Sequence, residues 1–154
     1  MDANLIYTIT TWVIPLLLCV IIHEMGHGYA ALKLGDETAR IMRRLTLNPK
    51  EHIDPMGSLL VPGVLFLIQS PVLFGWAKPV PVDYRNLRHP KRDMGIVAIA
   101  GPIANILLAV AFVLCIHLLN LLPDSQTKIW LFQNLLNGIQ LSLVLAIFNL
   151  LPIL

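Results

Sequence analysis

Charge is what this chain has least of. Charged residues make up 13% of its 154 positions, hydrophobic ones 56%, and mean hydropathy is +0.74. A soluble domain carries about 25% charged residues, so this balance excludes an ordinary water-soluble fold and reads as a polytopic membrane protein. The formal charge of +2 is small, and the basic residues flank apolar segments. That pattern orients helices in a bilayer and argues against a nucleic-acid partner. Cysteine is scarce as well: Cys19 and Cys115 both lie inside apolar runs, where free thiols act as small hydrophobes and not as a disulfide framework. The first apolar run lacks a basic leader and a small-residue cleavage site, which excludes a signal peptide and makes it a retained helix.

Ala3 to Ile22 is 20 residues without a charge, about 30 Å as a helix and enough to span the hydrocarbon core. Pro15 is a potential kink. The helix is expected to run on to Lys33 and stop at Gly35, a residue suited to a left-handed C-cap. Asp36 to Pro55 is polar; within it Ala39 to Leu47 is a candidate strand, and Asn48-Pro49 and Asp54-Pro55 are turn signals. Met56 to Ala77 is uncharged but interrupted by Gly57, Pro62, Gly63, Gln69, Ser70, Pro71 and Gly75. Such a segment either crosses as a broken helix or dips in and returns. Lys33 to Lys50 and Lys78 to Arg92 hold five basic residues each, whereas Asn120 to Lys128 holds one. Re-entry would put both basic stretches on the cytoplasmic side, as the positive-inside rule prefers. Gly95 to Pro123 is a clear span, with Ala100, Gly101, Ala104, Asn105, Ala109 and Ala111 where another helix could approach closely. Ile129 to Leu154 is the last apolar run.

Where the first span ends stands His23-Glu24-Met25-Gly26-His27. On a helix, residues four apart share a face, so His23 and His27 can present two imidazoles to one tetrahedral zinc ion. Glu24 sits beside that point without being needed as a ligand, placed to move a proton for a water whose pKa a metal lowers to about 7. Ionisable groups in such surroundings cost on the order of 2.5–3.5 kcal/mol near a membrane centre on insertion scales, which calls for a functional reason. The bland alternative is two histidines and a glutamate hydrogen-bonded inside a bundle. His52 and Asp54 are metal ligands by residue type, but a solvated loop is the expectation for both. His117 reads as an interface residue. Asn105 reads either as an interhelical hydrogen bond or as part of the site.

These motifs carry a resemblance. The order His23-Glu24-Met25-Gly26-His27, Leu47-Asn48-Pro49 with His52-Ile53-Asp54-Pro55-Met56-Gly57, Phe74-Gly75-Trp76-Ala77-Lys78-Pro79-Val80-Pro81-Val82, Ala100-Gly101-Pro102-Ile103-Ala104-Asn105 and Phe148-Asn149-Leu150-Leu151-Pro152 resembles the site-2 proteases, intramembrane zinc metalloproteases, of the compact type without a PDZ domain. The resemblance implies a single membrane-embedded peptidase domain over 1–154 with a core of three transmembrane helices, approximately Thr11 to Leu34, Gly95 to Leu122 and Ile129 onward. Between the first two, it implies membrane-embedded strands and a re-entrant segment that receive an extended substrate. It further implies one zinc ion held by His23 and His27, Glu24 as general acid/base, and Asn149, with Asn105, as candidates for holding the substrate backbone or the oxyanion. The expected setting is a prokaryotic cell membrane with the site toward the cytoplasm, and the expected partner is a transmembrane protein substrate. In relatives the last motif runs into Leu-Asp-Gly, whose aspartate is the third ligand. This chain stops before it and so reads as C-terminally truncated, with the third ligand unknown and His52 and Asp54 as the substitutes to test.

Three other readings stand beside this one. A metal-binding membrane transporter would carry further intramembrane ligands along a path, and beyond the motif the apolar runs offer only His117. A pseudoprotease would bind membrane segments without cutting them; Glu24 counts against it and the missing aspartate for it. A haem protein would need axial histidines facing each other from separate elements, whereas His23 and His27 share one face.

Overall fold

The computed structural model describes residues 3–69, 71 and 75–151. Three long helices carry the fold: α1 (Ala3–Lys33), α4 (Pro90–Leu119) and α5 (Gln126–Leu150), each packed against the other two. All three are long and apolar enough to cross a membrane. At 25 to 31 residues they reach roughly 37–46 Å, beyond a hydrocarbon core of about 30 Å. Each starts earlier than the expected core helix: α1 at Ala3, within the uncharged run, and α4 and α5 at Pro90 and Gln126, in the polar residues before theirs.

The bundle is sorted in the manner of a protein dissolved in lipid. Leu107, Val110, Leu114, Leu143 and Ile147 are exposed, whereas Thr11, Asn105, Asn137 and Ser142 are buried. Without water to drive apolar side chains together, helices in lipid associate through close packing and interhelical hydrogen bonds. α5 illustrates this: its buried residues are Asn134, Asn137, Gly138, Ser142 and Ala146.

α1 ends as expected. Gly35 takes φ +113, Gly35 N–H donates to Leu32 O at 3.2 Å and Asp36 N–H to Ala31 O at 2.9 Å, the paired bonds of a Schellman C-cap. α1 also runs unbroken through Pro15. Proline brings no N–H to the carbonyl four residues back, here that of Thr11, and Asn137 Nδ2 of α5 donates to that oxygen at 2.7 Å instead.

Ala39 to Leu47 is not a strand, and the described residues contain no strand at all. The buried Asp36 carboxylate accepts Thr38 N–H at 3.0 Å, which starts the single helical turn α2 (Thr38–Ile41). Arg43 then takes φ 54, a left-handed conformation that an extended strand does not admit. The middle segment is helical too: a π-helical turn Pro55–Leu60, N-capped by Asp54, leads into α3 (Val61–Leu67). These 13 residues cover about 20 Å, short of a span. Of the expected Phe74–Val82 motif, Phe74 lies outside the described residues, as does Pro152 of the last one.

The stretch between α1 and α4 leaves and returns at one end of the bundle. Trp76 N–H donates to Gly57 O at 3.0 Å and Lys78 N–H to His52 O at 2.9 Å, and Ser58 Oγ to Trp76 O at 2.8 Å. Asp83 N–H reaches Asp36 Oδ2 at 2.7 Å and Arg88 N–H reaches Leu34 O at 3.1 Å. The two basic stretches are thereby tied to each other.

Candidate functional site

α1 and α4 come closest where their side chains are smallest. A Cβ added to Gly26 would lie 2.8 Å from Ala100 O and 2.9 Å from the Ala104 Cβ, so α1 meets α4 almost backbone to backbone. Close packing therefore accounts for Gly26. His23 and His27 lie on the same face of α1 and point into this seam. A Cβ on Gly101 would strike His27 Nε2 and lie 2.8 Å from His23 Nε2. The missing side chain of Gly101 is what gives the two ring nitrogens their space.

The Nε2 atoms of His23 and His27 stand 3.1 Å apart, with the rings nearly perpendicular at 84°. Behind them each Nδ1 is held from α4. His27 Nδ1–H donates to Val97 O at 2.7 Å, and Asn105 Nδ2 donates to His23 Nδ1 at 3.2 Å. His23 and Asn105 are buried. Outer partners of this kind fix ring orientation and tautomer in histidines that bind metals.

Glu24, the next residue along, faces a different element. Its Oε2 accepts the backbone N–H of Val80 at 2.8 Å. Val80 is seated against α1 where Gly28 lacks a side chain: a Cβ there would be 2.9 Å from Val80 Cγ1. The residues before Val80 are gripped by Arg44, whose Nη2 donates to Lys78 O at 2.9 Å and Pro79 O at 3.3 Å. Arg44 is buried, and its guanidinium is met by carbonyls, not by a carboxylate.

Of the residues expected at the site, the structure brings together His23, His27 and Asn105, while Glu24, adjacent in sequence, turns to the Val80 N–H. Asn105 lies behind the imidazole of His23, fully buried, where it can orient the ring. Asn149 stays apart, exposed in the last turn of α5 with its amide donated to Leu145 O at 2.8 Å. His52 is not solvated: it is buried, with Nε2 on Thr46 O at 2.8 Å. Asp54 is spent on Met56 N–H and Gly57 N–H at 2.8 and 2.9 Å. His117 is exposed and bonded to Val113 O in its own helix. Among the described residues no third His, Cys, Asp or Glu joins the two histidines. Residue type marks neither Val80 nor Arg44, since a backbone N–H has no signature and a loop arginine reads as solvated; the resemblance over Phe74–Val82 points to the region of Val80 alone.

The two imidazoles supply two of the three protein ligands that a catalytic zinc site uses, and among the described residues no third is in place. Two imidazole nitrogens converge on one region, a Cβ there would fill it, and each opposite nitrogen has a hydrogen-bond partner. His and carboxylate oxygen in open coordination are the ligands of catalytic zinc sites.

Comparison with known proteins finds relatives of one kind. The chain is 38% identical to the Bacillus subtilis (strain 168) protein named "Putative zinc metalloprotease YwhC", over 99% of this chain and 69% of that protein. It is 33% identical to "Putative zinc metalloprotease Rip2" of Mycolicibacterium smegmatis, over 68% of this chain and 38% of that protein. To the protein of the same name in Mycobacterium tuberculosis (strain ATCC 25618 / H37Rv) it is 30% identical, over 96% of this chain and 52% of that protein. No protein-family model and no solved structure matches. With near-complete coverage by a metalloprotease relative, a two-histidine motif on an apolar helix and three potential membrane spans, the chain belongs to the site-2 protease family of zinc metalloproteases.

Proposed function

We propose that this protein is a zinc-dependent endopeptidase that cuts a membrane-spanning segment of another protein. The observation that carries the reading is the convergence of His23 Nε2 and His27 Nε2, 3.1 Å apart, on an apolar helix with Glu24 beside them. Such ionisable groups within a span are expensive and mark function by default. The five-and-five basic stretches now tied together at one end of the bundle favour that end as cytoplasmic, in the plasma membrane of a prokaryote. On this reading the excursion from Pro55 to Trp76 is re-entrant.

His23 and His27 would hold the ion, and a bound zinc would supply Lewis-acid activation of water and of the scissile carbonyl. Glu24 takes the proton of the attacking water and returns it to the leaving amine. The Val80 N–H holds one carboxylate oxygen, so the other is aimed and not free to rotate; a general base is effective only within hydrogen-bond reach of the proton it takes. Gly101 keeps space open beside both rings. The three-helix bundle shields the site from lipid on the α4 side. The region around Val80 lies next to Glu24 and is the element nearest to where an extended substrate would run.

The test is cleavage of a single-span reporter protein co-reconstituted with this chain in liposomes, with the cut located by mass spectrometry. Cleavage within the span that is lost in Glu24→Gln is expected. Cleavage only outside the membrane, or undiminished in Glu24→Gln, would overturn the proposal.

A further inference from the structure

The peptide unit between Pro79 and Val80 is held at both ends by a charged side chain. Its oxygen accepts from Arg44 Nη2 at 3.3 Å, and Lys78 O, one unit earlier, accepts from the same nitrogen at 2.9 Å. Its N–H donates to Glu24 Oε2 at 2.8 Å. The peptide is trans, so C=O and N–H lie in one plane and point opposite ways. Where the oxygen is fixed, the direction of the hydrogen is fixed too. A guanidinium thus reaches the Glu24 carboxylate through a single planar group.

The local sequence leaves that plane little freedom. Pro79 has its own φ locked by the ring, and Val80 stands before Pro81, which keeps it extended. Neither proline has an N–H, so Val80 carries the one donor of Pro79-Val80-Pro81. Arg44 is brought to the oxygen by the other loop. Arg43 takes φ 54, and Arg44 N–H returns to Ala39 O at 2.9 Å, which closes the turn after α2. Ala39, Leu45 and Val80 all meet at Gly28 of α1, four residues on from Glu24 and on the same face. One notch on α1 therefore seats both the segment that carries Arg44 and the segment that Arg44 grips.

Fastening a loop does not call for a charge. Arg44 is buried, no carboxylate among the described residues pairs with it, and its Nε has no hydrogen-bond partner. Burying a guanidinium that nothing neutralises is costly, and a neutral amide can donate to two carbonyls as well. What the charge adds is polarisation. A cation at the oxygen of a peptide strengthens its N–H as a donor, and here that N–H meets the carboxylate next to His23 in the sequence. We propose that Arg44 is a positioning residue for Glu24, acting through the Pro79–Val80 peptide to hold Oε2 and leave Oε1 to take the proton. The inference rests on the protease reading above.

The experiment has two readouts on the full chain. Cleavage of the liposome-reconstituted single-span reporter gives kcat and KM, and ¹⁵N-valine-labelled protein in detergent gives the Val80 amide proton, assigned with Val80→Ile. Arg44→Met is expected to lower kcat by about 10–100-fold, the loss that follows a small displacement of a reacting group, and to leave KM within about threefold. In the same variant the Val80 proton should move upfield and exchange at least about tenfold faster. Arg44→Lys, which keeps a charge and a donor, should restore most of both. Should Arg44→Met fail to fold, Arg44→Gln takes its place: it keeps a donor without the charge, and kcat should fall at least about fivefold with the Val80 proton upfield. Wild-type kcat in the folded variant, or an unmoved Val80 proton, would overturn the inference and leave the protease reading intact. A raised KM with unchanged kcat, the mark of a support for the substrate path alone, would overturn it as well. If wild type cuts no reporter while the Val80 proton answers to Arg44→Met and Glu24→Gln alike, the link from Arg44 to Glu24 stands and the protease reading falls.

Discussion

Against α5, helix α1 offers Thr10, Thr11 and Cys19; against α4 it offers His23, Gly26 and His27. Both faces bury polar atoms in a helix that is otherwise apolar, yet they are used differently. On the α5 side the bonds between the helices close, although Asn134 Oδ1 within α5 has no partner, and none of the groups there is an imidazole or a carboxylate. Asn137 Nδ2 meets the Thr11 carbonyl that Pro15 leaves bare, and Gln133 Nε2 meets Asn137 Oδ1 at 2.9 Å. Trp130 Nε1 meets Thr10 Oγ1 at 3.0 Å, and Cys19 Sγ lies 3.1 Å from Ser142 Oγ. On the α4 side two ring nitrogens point at each other and an amide oxygen has no partner. Polar atoms whose bonds are complete hold helices together. Polar atoms held rigidly with capacity to spare are where chemistry is done.

The strongest way to break this contrast is to remove one group from each side and measure cleavage. Glu24→Gln keeps the shape and the Val80 contact site but cannot take a proton, and cleavage is expected to fall by at least about 10²–10⁴-fold. Ser142→Ala, on the α5 side, should leave cleavage within about twofold while lowering stability by no more than about 1 kcal/mol. Equal losses of activity in the two variants would mean that the seams are not functionally distinct.

A pair of glycines sharpens it further. Gly101 faces the two imidazoles, whereas a Cβ on Gly138 of α5 would lie 2.6 Å from a ring carbon of Phe112 in α4. Gly101→Ala should displace both imidazoles and weaken Co²⁺ or Zn²⁺ binding by roughly 10–100-fold. Gly138→Ala should cost about 1–3 kcal/mol in overpacking and leave metal binding unchanged. Binding titrations and thermal unfolding in detergent separate the two effects.

How far this was legible in the sequence follows the range of each interaction. The His23–His27 pairing is read directly from a helical repeat of four residues, and the Gly35 cap from one residue's tolerance of positive φ. The spans follow from uncharged length alone. What failed were inferences about the polar connection, where one distant bond outweighs local preference. The run from Ala39 to Leu47 has strand-like residues, but the Asp36 carboxylate captures Thr38 N–H and bends the chain into a helical turn. His52 reads as a loop histidine until Lys78 returns to its carbonyl and buries it. Asn149 could not be distinguished from Asn105 by type; only the packing of α4 against α1 puts one behind His23 and leaves the other in an open last turn. The partnership of Glu24 with Val80, 56 residues away, is a side chain bonded to a backbone group and leaves no mark in residue type.

On the α5 side, the effect expected from the freed carbonyl is one of stability. Asn137→Leu removes the donor to Thr11 O and leaves that oxygen with neither a helical nor a side-chain partner. The expected loss is about 1–2 kcal/mol, seen as a lower unfolding midpoint in detergent with cleavage retained below it. Restoring Pro15→Ala in the same chain returns an N–H to Thr11 O, and should recover most of the loss. No recovery would mean that Asn137 acts through packing instead of through the Thr11 bond.

The smallest expected effect lies outside both seams, where α1 is tied to the approach to α4. Burial pushes the Asp36 carboxyl upward, but hydrogen bonds from Thr38 Oγ1 and N–H, Asn86 Nδ2 and Asp83 N–H outweigh it and hold Asp36 below the usual carboxylate range. A carboxylate with a lower pKa folded than unfolded binds fewer protons in the native state. Its stabilisation is therefore complete above the ordinary value of about 3.9 and is lost as pH falls through the lower, folded value. The Asp83 N–H, bonded to Asp36 Oδ2 at 2.7 Å, should keep its hydrogen-exchange protection down to about pH 4 and lose it below. Asn at position 36 can accept from that N–H but carries no charge, so Asp36→Asn should flatten the acid limb of the stability curve. Because Asp36 also holds the segment that carries Val80, a shallow decline in cleavage below pH about 4 should accompany the loss of protection in wild type. An unchanged acid limb in Asp36→Asn would show that this tie is mechanical, held by shape and backbone bonds, and that acid acts on the protein elsewhere.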